Sequence, residues 1–174
     1  SPPWPFPSSR VGLISPCGLV RSREVRSAMK VSTRGEYGMR AMVSLARMYG
    51  QGPVPLTTIA ADSAVPPAYL EQLIGPLRRA GLVTSTRGAS GGYQLARPPE
   101  QVRAGEIYRV MEGPIAPMSC VSEESDDDSC PMIDGCATRI VWIRVRDSIA
   151  EALDSTTLAD LVPPGARRAA AKVD

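Results

Sequence analysis

Residues 66–97, PPAYLEQLIGPLRRAGLVTSTRGASGGYQLAR, contain the pattern from which the architecture follows. The first half repeats apolar residues at three- and four-residue spacing, which predicts a helix over 68–80 that begins after a proline pair and ends at Gly81. The second half holds two short stretches, 82–86 and 93–95, joined by a six-residue glycine-rich tip. That pattern is typical of a β-hairpin, so a helix followed directly by a hairpin is expected.

Further helices are predicted on both sides of this unit. One starts after Ser32 or Thr33 and ends before Gly50, and a second, over 56–63, would be capped by Thr57 or Thr58. Downstream, the predicted helices are about 104–112, about 138–153 and a short turn within 157–162. The order helix, turn, helix, hairpin predicts a mainly α fold with a small β-hairpin wing, a winged helix-turn-helix followed by a long C-terminal helix.

Composition limits the number of domains and the classes of function. A chain of 174 residues with a net charge of +2 suits one domain with tails. We expect a disordered extension over 1–28, a winged-helix domain over 29–97, a second segment over 98–162 and a disordered tail over 163–174. No apolar run is long enough to span a membrane and the first residues lack a signal-peptide pattern, so a cytoplasmic protein is expected.

The helix-turn-helix pattern predicts contact with double-stranded DNA. Early residues of the second helix would face base edges, with Glu71 suited to cytosine and Gln72 to adenine. Arginines near the helix end suit phosphates, and Arg87 begins the wing tip. An amphipathic helix pair and an ordinary hairpin in another α+β protein is the alternative. The predicted DNA-binding residues are Thr57, Thr58, Ala68, Tyr69, Glu71, Gln72, Arg78, Arg79, Arg87, Gly91 and Gly92.

Three cysteines, Cys120, Cys130 and Cys136, gather in a polar, acidic stretch with the spacing C-x9-C-x5-C. Free cysteine ordinarily behaves as a buried apolar residue, so this placement indicates thiolate ligation of a metal or an iron–sulfur cluster. A redox disulfide or three unconnected thiols are the alternatives. The remaining cysteine, Cys17, lies in the predicted N-terminal extension and is assigned no function.

The acidic run between these cysteines, and the residue types that are missing, narrow the function further. Glu123, Glu124 and residues 126–128 lack the spacing of an EF-hand loop, so a solvated acidic loop is the better interpretation. The chain has no histidine, which is the commonest general base, and it has no nucleophile-elbow, Walker A or dinucleotide-binding motif. We therefore predict that the protein is not an enzyme.

From residue 29 to about residue 162 the chain resembles the Rrf-type winged-helix transcription regulators, the family of the iron–sulfur cluster regulator IscR and the nitric-oxide sensor NsrR. The matching stretches are MKVSTRGEYGMRAM at 29–42, residues 66–97 quoted above, the cysteine loop, and STTLADLV at 155–162. The resemblance implies a homodimer built on the long helix at about 138–153, and a palindromic operator. It also implies that the three loop cysteines hold an iron–sulfur cluster with two or four irons.

Two departures from the family pattern concern the ligands. The first gap between cysteines is nine residues where the family usually has fewer, and Arg139 stands where the cluster regulator has a histidine ligand. Arginine stays protonated and is not a ligand. The resemblance to the nitric-oxide sensor instead points to Glu36, donated by the partner subunit. An ordinary surface charge at a helix start is the alternative role for Glu36.

The sequence thus predicts a transcription regulator that senses redox state, nitric oxide or iron status through a cysteine-ligated iron–sulfur cluster. One alternative is a regulator of the same fold without a cluster, which senses thiol oxidation or a small molecule. The other is a metal or redox protein that does not bind DNA. The expected partners are a DNA operator and a second copy of the chain.

Overall fold

The computed structural model describes residues 31–88, 90–124 and 135–163. The disordered segments predicted for 1–28 and for nearly all of 163–174 lie outside these residues. In chain order the elements are α1 Thr33–Arg47, α2 Leu56–Ser63, α3 Pro67–Arg79, β1 Val83–Thr86, β2 Gly92–Leu95, α4 Ala104–Glu112, α5 Arg139–Ser155 and α6 Leu158–Leu161. Two 3-10 turns, Pro99–Gln101 and Ser119–Val121, were not predicted from the sequence.

Helix α1 lies at the centre of the molecule and packs against α2, α3, α4 and α6. It begins at Ser32, whose hydroxyl accepts hydrogen bonds from the N–H groups of Arg34 and Gly35 as an N-cap. Gly38 allows Met111 of α4 to approach, because a Cβ there would lie 2.6 Å from the Met111 sulfur. The prediction that Ser32 caps this helix is confirmed.

One apolar core joins the winged-helix segment to the residues that follow it. Helices α1 and α3 contribute four buried apolar residues each, and Ile107 of α4 and Leu158 of α6 are also completely buried. Backbone hydrogen bonds such as Leu158 N–H to Val102 O, at 2.8 Å, close the C-terminal segment onto the chain just before α4. The largest fully buried side chains are Met42, Leu45, Ile59, Leu70, Leu73, Leu77, Leu82, Ile107, Ile115 and Leu158.

The two strands form an antiparallel hairpin with Val83 opposite Leu95 and Thr86 opposite Gly92. Its tip has five residues, one fewer than predicted, because Gly92 already belongs to the second strand. Tyr93 also pairs with Val54 through two backbone hydrogen bonds of 2.8 and 2.9 Å. The wing is therefore fastened to the turn before α2 as well as to α3.

Most element boundaries agree with the prediction, and the differences have local causes. Gly81 has a φ of +72° and ends α3 in the left-handed conformation, as expected. Helix α2 is different, because its N-cap is Pro55 and neither Thr57 nor Thr58 caps it through a side chain. The Thr58 N–H donates instead to the Pro55 carbonyl, at 3.0 Å. The predicted threonine cap is therefore wrong.

Helix α5 is exceptional because it buries none of its residues within the single chain. Ile140 is 58% exposed and Val141 54% exposed near its start. It contacts α4 and the 3-10 turn that contains Cys120. No helix in the described part of the chain combines the length and the apolar character needed to cross a membrane.

Candidate nucleic-acid interface and cysteine loop

Helix α3 presents a polar face beside the wing. Pro67 occupies its first turn, where the missing N–H costs nothing, and Leu70, Leu73 and Leu77 hold the opposite face in the core. An apolar stripe at this spacing leaves the intervening positions free to reach solvent. The predicted DNA-binding residues of this helix that lie exposed are Ala68, Glu71, Gln72, Arg78 and Arg79.

Tyr69 differs from its neighbours on α3 because it is half-buried. Its ring meets the edge of the Tyr37 ring of α1, with centroids 5.8 Å apart and planes at 77°. The Arg40 guanidinium lies 5.7 Å from the centre of the Tyr37 ring. Edge-on aromatic pairs of this kind stabilise packing between elements. Tyr69 therefore helps to fix α3 on α1, and its contact with DNA stays a prediction.

The start of α2 and the wing flank the exposed face of α3. Thr57 and Thr58 are exposed, as residues that grip a DNA backbone must be. Arg87 is exposed at the first position of the wing tip. Arg78 of α3 donates a 3.2 Å hydrogen bond to Ser85 Oγ of β1, which ties the wing to the helix.

The paired glycines of the wing have an internal reason to be glycine. A Cβ on Gly91 would lie 2.8 Å from the Gly88 carbonyl oxygen, and one on Gly92 would lie 2.9 Å from the Pro55 nitrogen. Both distances are too short for a side chain, and the neighbouring atoms belong to the backbone. These glycines let the hairpin fold back on itself and on Val54, and their contact with DNA stays a prediction.

Cys120 lies in the 3-10 turn that opens the cysteine loop. Its thiol is free and half-buried, and the next residue, Val121, is buried. Two residues further, the Glu123 carboxylate binds the guanidinium of Arg109 and accepts the Ile115 N–H at 2.9 Å. The bond between Arg109 of α4 and Glu123 therefore helps to fix the turn that contains Cys120.

Cys136 lies at the other end of the loop, just before α5. Its thiol is free, and its sulfur lies 3.3 Å from the Thr138 hydroxyl. Hydrogen bonds from the Thr138 side chain and backbone, aided by the charge of Arg139, lower the pKa of the Cys136 thiol. A lowered thiol pKa favours the thiolate, which is the form that ligates metals and reacts with oxidants.

The ligand set predicted from the sequence is only partly visible. Cys130 lies outside the described residues. Within 31–88, 90–124 and 135–163, no three cysteine, aspartate, glutamate or histidine side chains come together as a metal site. Glu36 therefore does not join Cys120 and Cys136 in one group within a single chain. It is exposed on the first turn of α1 and pairs with Arg40 at 2.5 Å.

Glu36 borders an open apolar groove of about 830 Å³. Met39 and Val43 of α1 form one side of this groove, and Tyr108 of α4 and Leu153 of α5 contribute to the other. Burial raises the pKa of Tyr108, with a smaller contribution from nearby carboxylates. The groove and the exposed start of α5 are two apolar surfaces that the single chain leaves open to solvent.

Sequence reasoning missed the ion cluster of Arg109, Glu123 and Asp154. Arg109 binds Glu123, 14 residues along the chain, and Asp154, 45 residues along the chain. Hydrogen bonds from Arg109 are the main reason that the pKa values of both carboxyl groups lie below their ordinary values. Nothing in local spacing predicts a contact over such separations, so only the fold reveals this cluster.

Comparison with known proteins agrees with this architecture. The profile of the Rrf2 family, described as an iron-dependent transcriptional regulator, matches residues 31–164. The HTH-type transcriptional regulator CymR of Bacillus subtilis is 48% identical over 133 residues, which cover 76% of this chain and 89% of the relative.

Two solved structures resemble the fold at similar identity. The structure of B. subtilis CymR, titled the global cysteine regulator, has a TM-score of 0.63 at 46% identity and covers 84% of this chain and all of that chain. The structure of T. potens IscR has a TM-score of 0.61 at 47% identity and covers 76% of this chain and 85% of that chain. The chain therefore belongs to the Rrf2 family of DNA-binding transcription regulators.

Proposed function

We propose that this regulator binds its operator with an affinity set by an iron–sulfur cluster, which is held by Cys120, Cys130 and Cys136. The observation that carries the proposal is the pair of free thiols of Cys120 and Cys136, held at the two ends of one polar loop. Cys120 lies close to Glu123, which Arg109 of α4 binds. Cys136 lies three residues before the start of α5. A group that bridges these thiols would join the two attachment points of the loop.

The donor set fits an iron–sulfur cluster. Thiolates are the ligands that such clusters require, and the contacts of Thr138 favour the thiolate of Cys136. Three thiolates and one oxygen ligand accommodate either two or four irons. When bound, the cluster would supply a centre that reacts with oxidants or nitric oxide and that is not assembled when iron is scarce. The chain's own residues hold it, because Glu123 and Val121 anchor the loop beside Cys120.

The same proposal requires a homodimer. Ile140 and Val141 leave the start of α5 apolar and exposed, and the groove beside α1 is lined mainly by apolar surface, with charged side chains such as Glu36 among its lining residues. Burying such surface between two copies is favourable in proportion to its area. Because Glu36 borders the groove, a partner helix seated there brings that carboxylate towards the partner's cysteine loop. Glu36 is then the oxygen ligand, and two recognition helices face a palindromic operator.

In this scheme Glu36 must leave its ion pair with Arg40 of the same chain before it can bind the cluster. Its ion pair with Arg40 is half exposed on both sides, so breaking it costs little. Arg40 also stands against the ring of Tyr37, which packs on Tyr69 of α3. A cluster that binds or loses Glu36 thereby acts next to the recognition helix, and the populations of binding and non-binding forms shift.

The cluster is tested by spectroscopy on protein purified without oxygen. We expect visible-range absorbance, with iron and sulfide in equal amounts, from the wild type and from a Cys17→Ala control. The triple variant Cys120→Ala, Cys130→Ala, Cys136→Ala should lose all three signals. Absorbance that survives in the triple variant would exclude the loop as the site. A Glu36→Ala variant should keep iron but change the spectrum.

The DNA interface is tested by binding to a duplex selected by the wild-type protein from a random pool. Arg87→Ala should weaken binding. It should also reduce the slope of the logarithm of affinity against the logarithm of salt concentration by about one, the value for one lost phosphate contact. Arg97→Ala is a matched control, because Arg97 follows the hairpin and its guanidinium binds Glu106 of α4. If Arg87→Ala and wild type bound the duplex with equal affinity, the assignment of Arg87 in the wing to the DNA interface would be wrong.

A regulator without a cluster is the second candidate, and one observation favours it. Cys136 is a partly exposed thiol with a lowered pKa, which suits direct oxidation. CymR, a relative at 48% identity, is titled a cysteine regulator. This candidate predicts protein free of iron and sulfide whose DNA affinity changes on thiol oxidation. Analysis for iron and sulfide separates these two candidates. The remaining alternative, a metal or redox protein that does not bind DNA, conflicts with membership of a family of DNA-binding regulators.

A further inference from the structure

Arg109 forms hydrogen bonds with two carboxylates, those of Glu123 and Asp154, that belong to segments far from it in the sequence. Its Nε and Nη2 bind the two carboxylate oxygens of Glu123, at 2.9 and 2.5 Å. Its Nη1 and Nη2 bind the two oxygens of Asp154, at 2.7 and 2.9 Å. One planar guanidinium thus forms paired bonds with two carboxylates at once, a geometry that arginine provides and lysine does not. We call this group the Arg109 clamp.

The three members of the Arg109 clamp come from three different parts of the molecule. Arg109 belongs to α4, which packs on α1 and so on the DNA-binding core. Glu123 follows the turn that holds Cys120. Asp154 lies in the last turn of α5. The clamp therefore joins the winged helix, the cysteine loop and the long helix at one point.

The surroundings of the clamp are shaped to allow it. Gly105 faces Asp154, and a Cβ at this position would lie 2.6 Å from Arg109 Nη1 and overlap the Asp154 carboxylate. Glu123 also accepts the Ile115 N–H at 2.9 Å, while its own N–H donates to the Ile115 carbonyl at 3.2 Å. Of these two bonds that close the loop, the one from the Ile115 N–H has an acceptor, the Glu123 carboxylate, that Arg109 keeps in place.

We infer that Arg109 is a positioning residue that transmits the state of the cysteine loop to α5 and to the DNA-binding core. A change at the loop cysteines that moves Glu123 withdraws half of the partners of the guanidinium. The guanidinium, no longer held by Glu123, is then free to shift with Asp154, and the position of α5 against α4 changes. This inference rests on the proposed function, since it assigns a route to a signal that the loop receives.

The anchoring role is tested by hydrogen exchange of the backbone amides. In Arg109→Gln we expect the amides of 115–123 to exchange about tenfold faster, since the acceptor for Ile115 is no longer fixed. Asp154→Asn should produce a smaller rise in the same segment. Arg97→Gln is the matched control, because it removes an ion pair with Glu106 of the same helix α4 that does not touch the loop. Unchanged exchange in Arg109→Gln overturns the inference.

The transmitting role is tested in a Cys17→Ser background. The loop thiols are alkylated with iodoacetamide, and the dissociation constant for a selected duplex is compared with that of unmodified protein. We expect the dissociation constants of alkylated and unmodified protein to differ by roughly fivefold or more in the background protein and in Arg97→Gln. In Arg109→Gln the ratio should fall to about one.

The outcomes of this comparison separate failure of the clamp from failure of the proposed function. A ratio near one in the background protein refutes sensing by the loop, and with it the transmitting role of Arg109. A full ratio in the background protein and also in Arg109→Gln refutes the clamp alone and leaves loop sensing intact. A ratio lost in Arg97→Gln as well as in Arg109→Gln also counts against a specific role of Arg109.

Discussion

Replacing Gly92 by alanine should destabilise the protein by displacing the wing. A Cβ at this position would overlap the Val54 carbonyl and lie 2.9 Å from the Pro55 nitrogen, and backbone atoms cannot turn aside as a side chain does. The strand must move, which strains two hydrogen bonds between Val54 and Tyr93 worth about 1 kcal/mol each. With a further cost of about 1–2 kcal/mol for overpacking, the loss is about 3–4 kcal/mol when both bonds are lost.

Urea unfolding followed by circular dichroism measures this loss. The matched control is Gly75→Ala within α3, where a Cβ would meet only Arg79 Nη1 at an ordinary 3.6 Å. Alanine in a helix interior is better than glycine by roughly 0.5–1 kcal/mol, so this control should be as stable as wild type or more stable. A Gly92→Ala variant within about 0.5 kcal/mol of wild type would refute the reasoning, because it would mean that the wing is not fastened to Val54.

Two further predictions concern the surface of α5 and the dependence on pH. Ile140→Glu should convert the proposed homodimer to a monomer in light scattering and abolish duplex binding. Tyr49→Glu, at an apolar residue outside α5 that is 40% exposed, should leave the proposed homodimer intact. The hydrogen bonds of Arg109 hold the pKa values of Glu123 and Asp154 below their ordinary values of 4.5 and 3.8. Their stabilisation is complete above those ordinary values and is lost as the pH falls through them towards the lower folded pKa values. Arg109→Gln should therefore destabilise the protein near pH 7 and do so much less at about pH 3, as urea midpoints at the two pH values can check.

Local features of the sequence predicted most helices because their signals lie within a few residues. The stripe on α3, the Ser32 cap and the left-handed Gly81 each depend on near neighbours in the chain. The cap of α2 was predicted wrongly because Thr57 and Thr58 are equally good capping types. The chain enters that helix from Pro55 instead, and both threonines are exposed without a capping bond.

The candidate site divides in the same way. The exposed face of α3 and the position of Arg87 followed from periodicity, since a buried stripe determines what remains outside. The internal role of Gly92 did not, because its neighbour Val54 lies far away in sequence. The sequence also grouped Glu36 with the loop cysteines by resemblance, whereas within one chain it borders the α1 groove and binds Arg40.

By itself the sequence determined the winged-helix order, the three clustered cysteines and the absence of histidine, because these depend on residue type and spacing alone. Only the tertiary structure decided that α5 buries nothing in one chain and that Glu36 borders an open groove. It alone joined Arg109 to Glu123 and Asp154. The reason is that such contacts form between segments brought together by one shared core, and no local pattern records which distant surfaces will meet.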